Sequence, residues 1–193
     1  VFFNSGIVCP GIDQIIDHIN PKETLAVIDG YHGFMAVPTD LSRWENKVFY
    51  VAGAYKYAQS GEGCCFMVTP PDCNLRPQFT GWFANFFDLS ESKSSDVKYG
   101  KNGERFWGST MDFTGLYRLK SVLDLFTKKN ITVDVIHSYV QERQREFLGI
   151  LDSLSHTFLN RNSLMMIDQK NHGHFFSFKL PSSQDALALR KVL

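Results

Sequence analysis

The sequence has no excess of charge of either sign. Lys and Arg together number 20, Asp and Glu number 20, and the formal net charge at pH 7 is zero. A neutral chain offers no electrostatic footprint for a nucleic-acid backbone or an anionic membrane, so neither is an expected partner. Cysteine is scarce: Cys9, Cys64, Cys65 and Cys73. No pair has CxxC spacing and two are adjacent in an apolar run, so a thiolate metal site is not expected. Buried free thiols in a reducing compartment are the expectation instead. There is no basic segment leading into an apolar one and no apolar run of about 20 residues, so the chain reads as soluble and cytoplasmic. Internal repeats and low-complexity tracts are also missing. So is an initiating Met. The sequence starts with Val1 in a strand-like run and stops at Leu193 inside an amphipathic pattern, so it reads as the middle of a longer protein.

What is present is an ordinary globular composition over 193 residues, with 44% hydrophobic and 21% charged. That is enough for one good-sized core or two small ones. Aromatics reach 14%, with 17 Phe, which suits a large core, an interface or a flat ligand. Residues 1–6 (VFFNSG), 25–30 (LAVIDG), 47–56 (KVFYVAGAYK) and 63–70 (GCCFMVTP) read as strands. They are continuously apolar, as in α/β sheets covered on both faces. Ile12, Ile15, Ile16 and Ile19 recur at helical spacing and predict a helix over 10–19. Leu116, Leu119, Val122, Leu123 and Phe126 make one face of a second helix. Val133, Ile136, Val140, Phe147, Leu151, Leu154 and Phe158 make the stripe of a long third one. Two short strands (164–168, 174–178) and a helix from Asp185 close the pattern. The stretch 72–108 has little periodicity, and a loop of that length implies a job. The fold class is α/β: residues 1–128 as part of a mixed, mostly parallel sheet domain, and 129–193 as part of a smaller C-terminal α/β domain.

Two residues stand where an open α/β sheet places its chemistry. Asp29 ends the run LAVI at the carboxyl edge. It is either a turn aspartate holding nearby backbone N–H groups or a carboxylate aimed at a ligand. Lys56 follows the next strand in AYKY. It is either a lysine that snorkels to water or an amine desolvated among aromatics, able to attack a carbonyl. Together, a carboxylate and an amine at neighbouring strand ends are what pyridoxal phosphate needs. The amine takes the aldehyde and the carboxylate keeps the ring nitrogen protonated. SGEG (60–63) has too few glycines in register for a phosphate loop and reads as a tight turn.

The runs IDGYHGF and VAGAYKYAQSGEGCCFMVTP resemble the class V aminotransferase family of fold-type I pyridoxal phosphate enzymes, and among its members kynureninase and its relatives. The resemblance spans most of the chain, from VFFNSG to HGHFFSF. It implies a Schiff base at Lys56, a ring-nitrogen partner at Asp29, and His32 near the cofactor's phenolic oxygen. It implies that Tyr55 bonds the phosphate, that Trp82 (in TGWF) lines the substrate pocket or touches the phosphate, and that Thr110 (in FWGST) reaches the neighbouring subunit's site. The implied protein is a homodimer acting on a small amino-acid substrate. Aminotransfer, epimerisation, C–S cleavage and kynureninase-type C–C hydrolysis all stay open.

The family's phosphate-binding helix terminus would lie before Val1 and its substrate-carboxylate arginine beyond Leu193. Arg118, Arg143, Arg145 and Arg161 lie in the wrong context for that role. A catalytically incomplete fragment acting only as an association module is the second reading. A plain α/β domain with another ligand is the third. Trp82, Trp107 and Tyr57 could simply pack, Asn4 and Ser5 could touch a ligand, and His172 and His174 read as structural.

Overall fold

Three of the apolar runs form one small sheet: β1 (Ala26–Asp29), β2 (Val48–Gly53) and β3 (Cys65–Val68), in that spatial order. The structure, a computed structural model, describes residues 1–71, 73–88, 98–101, 103–166 and 168–192. β1 and β2 pair in parallel, with Asp29 opposite Val51. β2 and β3 pair antiparallel, with Gly53 opposite Cys65. The protein is therefore a mixed α/β chain. Its three-stranded sheet is not mostly parallel: one of its two pairings is parallel and the other antiparallel. Cover on both faces holds for β2, whose residues are buried except the half-buried Val51. It fails at the two edges, where Val27, Met67 and Val68 are exposed.

α1 (Ile12–Asp17) packs Ile16, which is 1% exposed, against Trp44 and Val48. Asp13 ties it down by accepting from Trp44 Nε1 at 2.9 Å and from Arg43 at 3.0 Å. Lys47 donates to the carbonyls of Ile16 and Asp17 at the helix C-terminus, where a cation suits the helix dipole.

α2 (Thr114–Lys128) inserts Leu119 into a cluster with Ala54, Ala58 and Cys64. Of its expected face, Val122 and Phe126 are half-buried, while Leu116 and Leu123 are exposed. α3 (Val133–Leu154) starts at Thr132, whose hydroxyl accepts from Val135 N. Its most buried residues are Gln144, Leu148 and Leu151. Phe147 and Leu154 of the expected stripe are exposed, and Phe158 lies past the helix end. α4 (Ser183–Val192) buries no residue. Among the described residues no helix is long and apolar enough to cross a membrane.

Three expected strands are not strands. Residues 1–6 fold into a turn in which Gly6 N donates to Phe2 O at 2.8 Å and Phe2 N to Ile7 O at 2.9 Å. A single antiparallel bridge then joins Ile7 to His172. The runs 164–168 and 174–178 meet only at the bridge between Leu164 and Phe178, too little pairing for a ladder; residue 167 lies outside the described residues. Within 72–108 the chain makes short 3-10 turns at Trp82–Asp88 and Gly103–Phe106. Residues 72, 89–97 and 102 of that loop lie outside the described residues. The expected boundary after residue 128 falls between α2 and α3, and contacts cross it: Tyr57 meets His174 and His32 meets Phe175.

Candidate active site

The parallel pairing of β1 and β2 brings their carboxyl ends side by side. Asp29 closes β1, and its Oδ1 accepts from Tyr31 N at 3.0 Å, which turns the chain. Gly30 N donates to Val51 O at 2.8 Å, pinning the turn to β2. Only glycine fits there: a Cβ on Gly30 would lie 2.1 Å from Cζ of Tyr50. Tyr50 is 5% exposed. Burial, then the Asp29 charge, pushes its phenol up to about 12. The turn continues with Gly33 N and Phe34 N donating to Gly30 O, and it carries His32.

Lys56 sits on the loop after β2. Ala54 O accepts from both the amide and the hydroxyl of Ser60, each at 3.1 Å. Ala54 N donates to Cys64 O at 2.9 Å. Ala54 and Ala58 are fully buried, so the loop is anchored on either side of Lys56. The SGEG stretch makes the expected turn into β3, with Gly61 and Gly63 at positive φ. A lysine stands at this place because a partner meets it. Its Nζ lies 2.8 Å from His32 Nε2 and 5.8 Å from the Tyr55 ring centroid, within cation–π range.

Two hollows open here. The first, about 570 Å³, is lined by Asp29, Gly30, His32, Tyr50 and Phe3 among others. The second, about 560 Å³, is lined by Phe3, His32, Lys56, Tyr57, Phe175 and Ser177. They share Phe3 and His32 as lining, with the Asp29 carboxylate on the first and the Lys56 amine on the second. Burial, and next the positive charge of Lys56, lower the His32 pKa from 6.5, with Asp29 opposing. A neutral imidazole can accept from the Lys56 amine. Tyr31 is pushed up to about 12, first by its hydrogen bond to Cys65 and then by burial.

A polar cluster backs the lysine loop. The Tyr57 ring meets the edge of His174 at 5.2 Å, and His137 Nδ1 lies 3.2 Å from His174 Nε2. Gln141 Nε2 lies 2.9 Å from His137 Nε2 and donates to Gln169 O. Burial, then His137, pulls His174 down to about 4.

Of the residues expected at the site, Asp29, His32 and Lys56 come together. Tyr55 is exposed beside Lys56 and packs against Tyr31 at 5.9 Å, but lines neither hollow. Trp82, 54% exposed, packs on Phe83 and Phe86, away from both hollows. Thr110 is exposed and also lies outside them. Asn4 is exposed, and the buried Ser5 hydroxyl accepts from Ile7 N. Arg118 donates to Glu62 O, Arg143 pairs with Glu142 and Glu146, and Arg161 pairs with Asp152. Neither hollow is lined by an arginine among the described residues.

Sequence reading missed Phe3, Phe175 and Ser177 as cleft walls. The one available signal was the dense aromatic–histidine run HGHFFSF. The cysteines also differ from expectation: Cys64 is buried, Cys9 and Cys73 are half-buried, and Cys65 is exposed at the sheet edge. Among the described residues no group of three or more His, Cys, Asp or Glu side chains is arranged to hold a metal ion. No family model matches the chain, and no curated protein matches it.

Proposed function

We propose that the chain is part of a pyridoxal-phosphate-dependent enzyme of the class V aminotransferase family, acting on a small amino acid. The observation that carries this reading is the placement of Asp29, His32 and Lys56 at the carboxyl ends of β1 and β2, beside two hollows that share His32. The donor set suits the cofactor: one amine for its aldehyde, one carboxylate for its ring nitrogen and an aromatic wall at Phe3 for its flat ring. Bound there, pyridoxal phosphate would supply an electron sink for bonds at a substrate α-carbon.

The chain's own residues do the rest. Lys56 Nζ would hold the aldehyde, and once released would take a proton from the substrate α-carbon. His32 Nε2 accepts a hydrogen bond from that amine and so orients it. Asp29 would keep a proton on the ring nitrogen through its negative charge. Phe3 and Phe175 line the second hollow beside Lys56.

The phosphate and partner roles belong to the same proposal. Tyr55, beside Lys56, would serve the phosphate. Trp82 and Thr110 would act across an interface, from a second copy of the chain. The exposed rings of Trp82, Phe86, Trp107 and Phe113 support such a homodimer, because a contiguous exposed aromatic patch marks an association surface. Aminotransfer, epimerisation and bond cleavage of the kynureninase type share this site and remain within the proposal. The test is a titration of the purified chain with pyridoxal phosphate, read by visible absorbance. A saturable band that Lys56→Ala abolishes is the expected result. A spectrum identical to that of free cofactor mixed with a lysine peptide would overturn the reading.

A further inference from the structure

We propose that Phe175 is a positioning residue for His32, and through it for the Lys56 amine, so that the C-terminal segment sets how the lysine is presented. The His32 imidazole contacts two rings: Phe3 at 5.2 Å and Phe175 at 5.7 Å, the latter edge-on. Among the described residues its one hydrogen bond is to Lys56. The backbone of its turn is fixed at Gly30, but the side chain has two free torsions. The half-buried Phe175 ring occupies part of the space through which the imidazole would swing.

The two rings come from opposite ends of the sequence, and those ends are fastened to each other. Val8 N donates to Asn171 O at 2.9 Å and Gly173 N to Gly6 O at 2.7 Å. His172, 1% exposed, places Nε2 at 3.1 Å from Ser5 O. Gln144, buried on α3, donates to Gly173 O at 2.8 Å. Close approach is required at Gly6, which has φ +77°, because a Cβ there would lie 2.5 Å from Phe175 O. The segment 171–175 is therefore held from two sides, by residues 5–8 and by α3, and it delivers Phe175 to the His32 ring. A packing change in the C-terminal part of the chain reaches Lys56 through one ring and one hydrogen bond.

The inference rests on the preceding reading only in taking Lys56 as the amine that meets an aldehyde. Its test has two arms on the whole chain. In the first, the His32 imidazole is titrated by NMR in the wild type, Phe175→Ala, Phe175→Leu and Phe3→Ala. In the second, the rate of borohydride-trapped pyridoxal phosphate labelling at Lys56 is followed against pH in the same proteins. Phe175→Ala should move the His32 midpoint up toward 6.5 and slow labelling severalfold, up to the roughly hundredfold loss that a 1 Å misplacement of a reacting group can cause. Phe175→Leu, which keeps apolar bulk against the ring, should restore much of both. Phe3 is 76% exposed, so Phe3→Ala keeps the core intact, and its His32 midpoint, which does not depend on cofactor contact, should shift the same way even if Phe175→Ala fails to fold. An unchanged His32 midpoint and labelling rate in a folded Phe175→Ala, or in Phe3→Ala, would overturn the proposal. If the wild type forms no adduct, the cofactor reading falls, and the His32 titration alone decides this one.

Discussion

His137 and His174 stack with ring centroids 5.4 Å apart, and Nδ1 of the first lies 3.2 Å from Nε2 of the second. Two imidazoles in that arrangement cannot both be charged without strong repulsion. Burial holds both below 6.5 and takes His174 to about 4, with Ala36 and, for His137, Asp134 opposing; burial lowers His32 as well. Between these folded values and 6.5 the unfolded chain binds more protons than the folded one, so stability rises with pH across that window. It is fully present above about pH 6.5 and is lost as pH falls toward 4. The carboxylates Asp40 and Asp112 have pKa values below 3.8, so their loss comes later in the descent. Thermal melts at pH 7.5, 6 and 4.5 should show a falling midpoint. His174→Gln should flatten that dependence, and a flat wild-type profile would contradict the half-buried neutral pair.

Asp29 has two separable duties. Its Oδ1 accepts from Tyr31 N, and its charge faces the cleft. Asp29→Asn keeps the acceptor and should leave the melting temperature close to wild type while weakening pyridoxal phosphate binding. Asp29→Ala loses both and should also destabilise by about 1 kcal/mol, the usual worth of one such hydrogen bond. Equal cofactor affinity in the wild type and Asp29→Asn would remove Asp29 from the site.

Gly6 should tolerate no side chain. Gly6→Ala forces a Cβ into the Phe175 carbonyl and the His172 ring at a positive φ. A loss of about 2 kcal/mol is expected from strain and overpacking, read from urea denaturation. An unaffected midpoint would mean that the two chain ends are not fastened as described.

Leu119 is the apolar plug of the cluster beneath the lysine loop, 7% exposed against Ala54, Ala58 and Cys64. Leu119→Ala should cost about 3 kcal/mol through lost burial and the cavity left behind. Because Ala54 and Ala58 bracket Lys56, this variant should also slow the reaction of Lys56 with an aldehyde.

The sheet and the helices were legible where the pattern was local. IDQIID has apolar residues at helical spacing, and VFYVAG is a continuous apolar run that becomes a strand buried except at the half-buried Val51. The antiparallel return of β3 was not legible, because periodicity fixes which residues face inward but not which way a strand runs. On α3 the inward line runs through His137, Gln141, Gln144, Leu148 and Leu151, and its first half is polar. A reading that follows apolar residues picks Phe147 and Leu154 instead, and both are exposed. Those polar residues face inward because each has a partner: His174, Gln169 O and Gly173 O.

At the candidate site, Asp29 and Lys56 stand out in the sequence because strand ends focus chemistry at one edge, while the role expected of His32 came from the resemblance. Phe175 does not stand out. Its place depends on the contact between residues 5–8 and 171–173, and His172 and Ser5 are 167 positions apart. No local pattern encodes a contact of that range.

The central claim is that Lys56 is the amine of a pyridoxal phosphate site. The most direct test is borohydride reduction of the chain with stoichiometric pyridoxal phosphate, followed by peptide mass mapping. The account predicts one adduct, on the peptide carrying Lys56, that disappears in Lys56→Ala while the other lysines stay unmodified. Labelling spread over the exposed lysines, or an adduct that persists in Lys56→Ala, would contradict it.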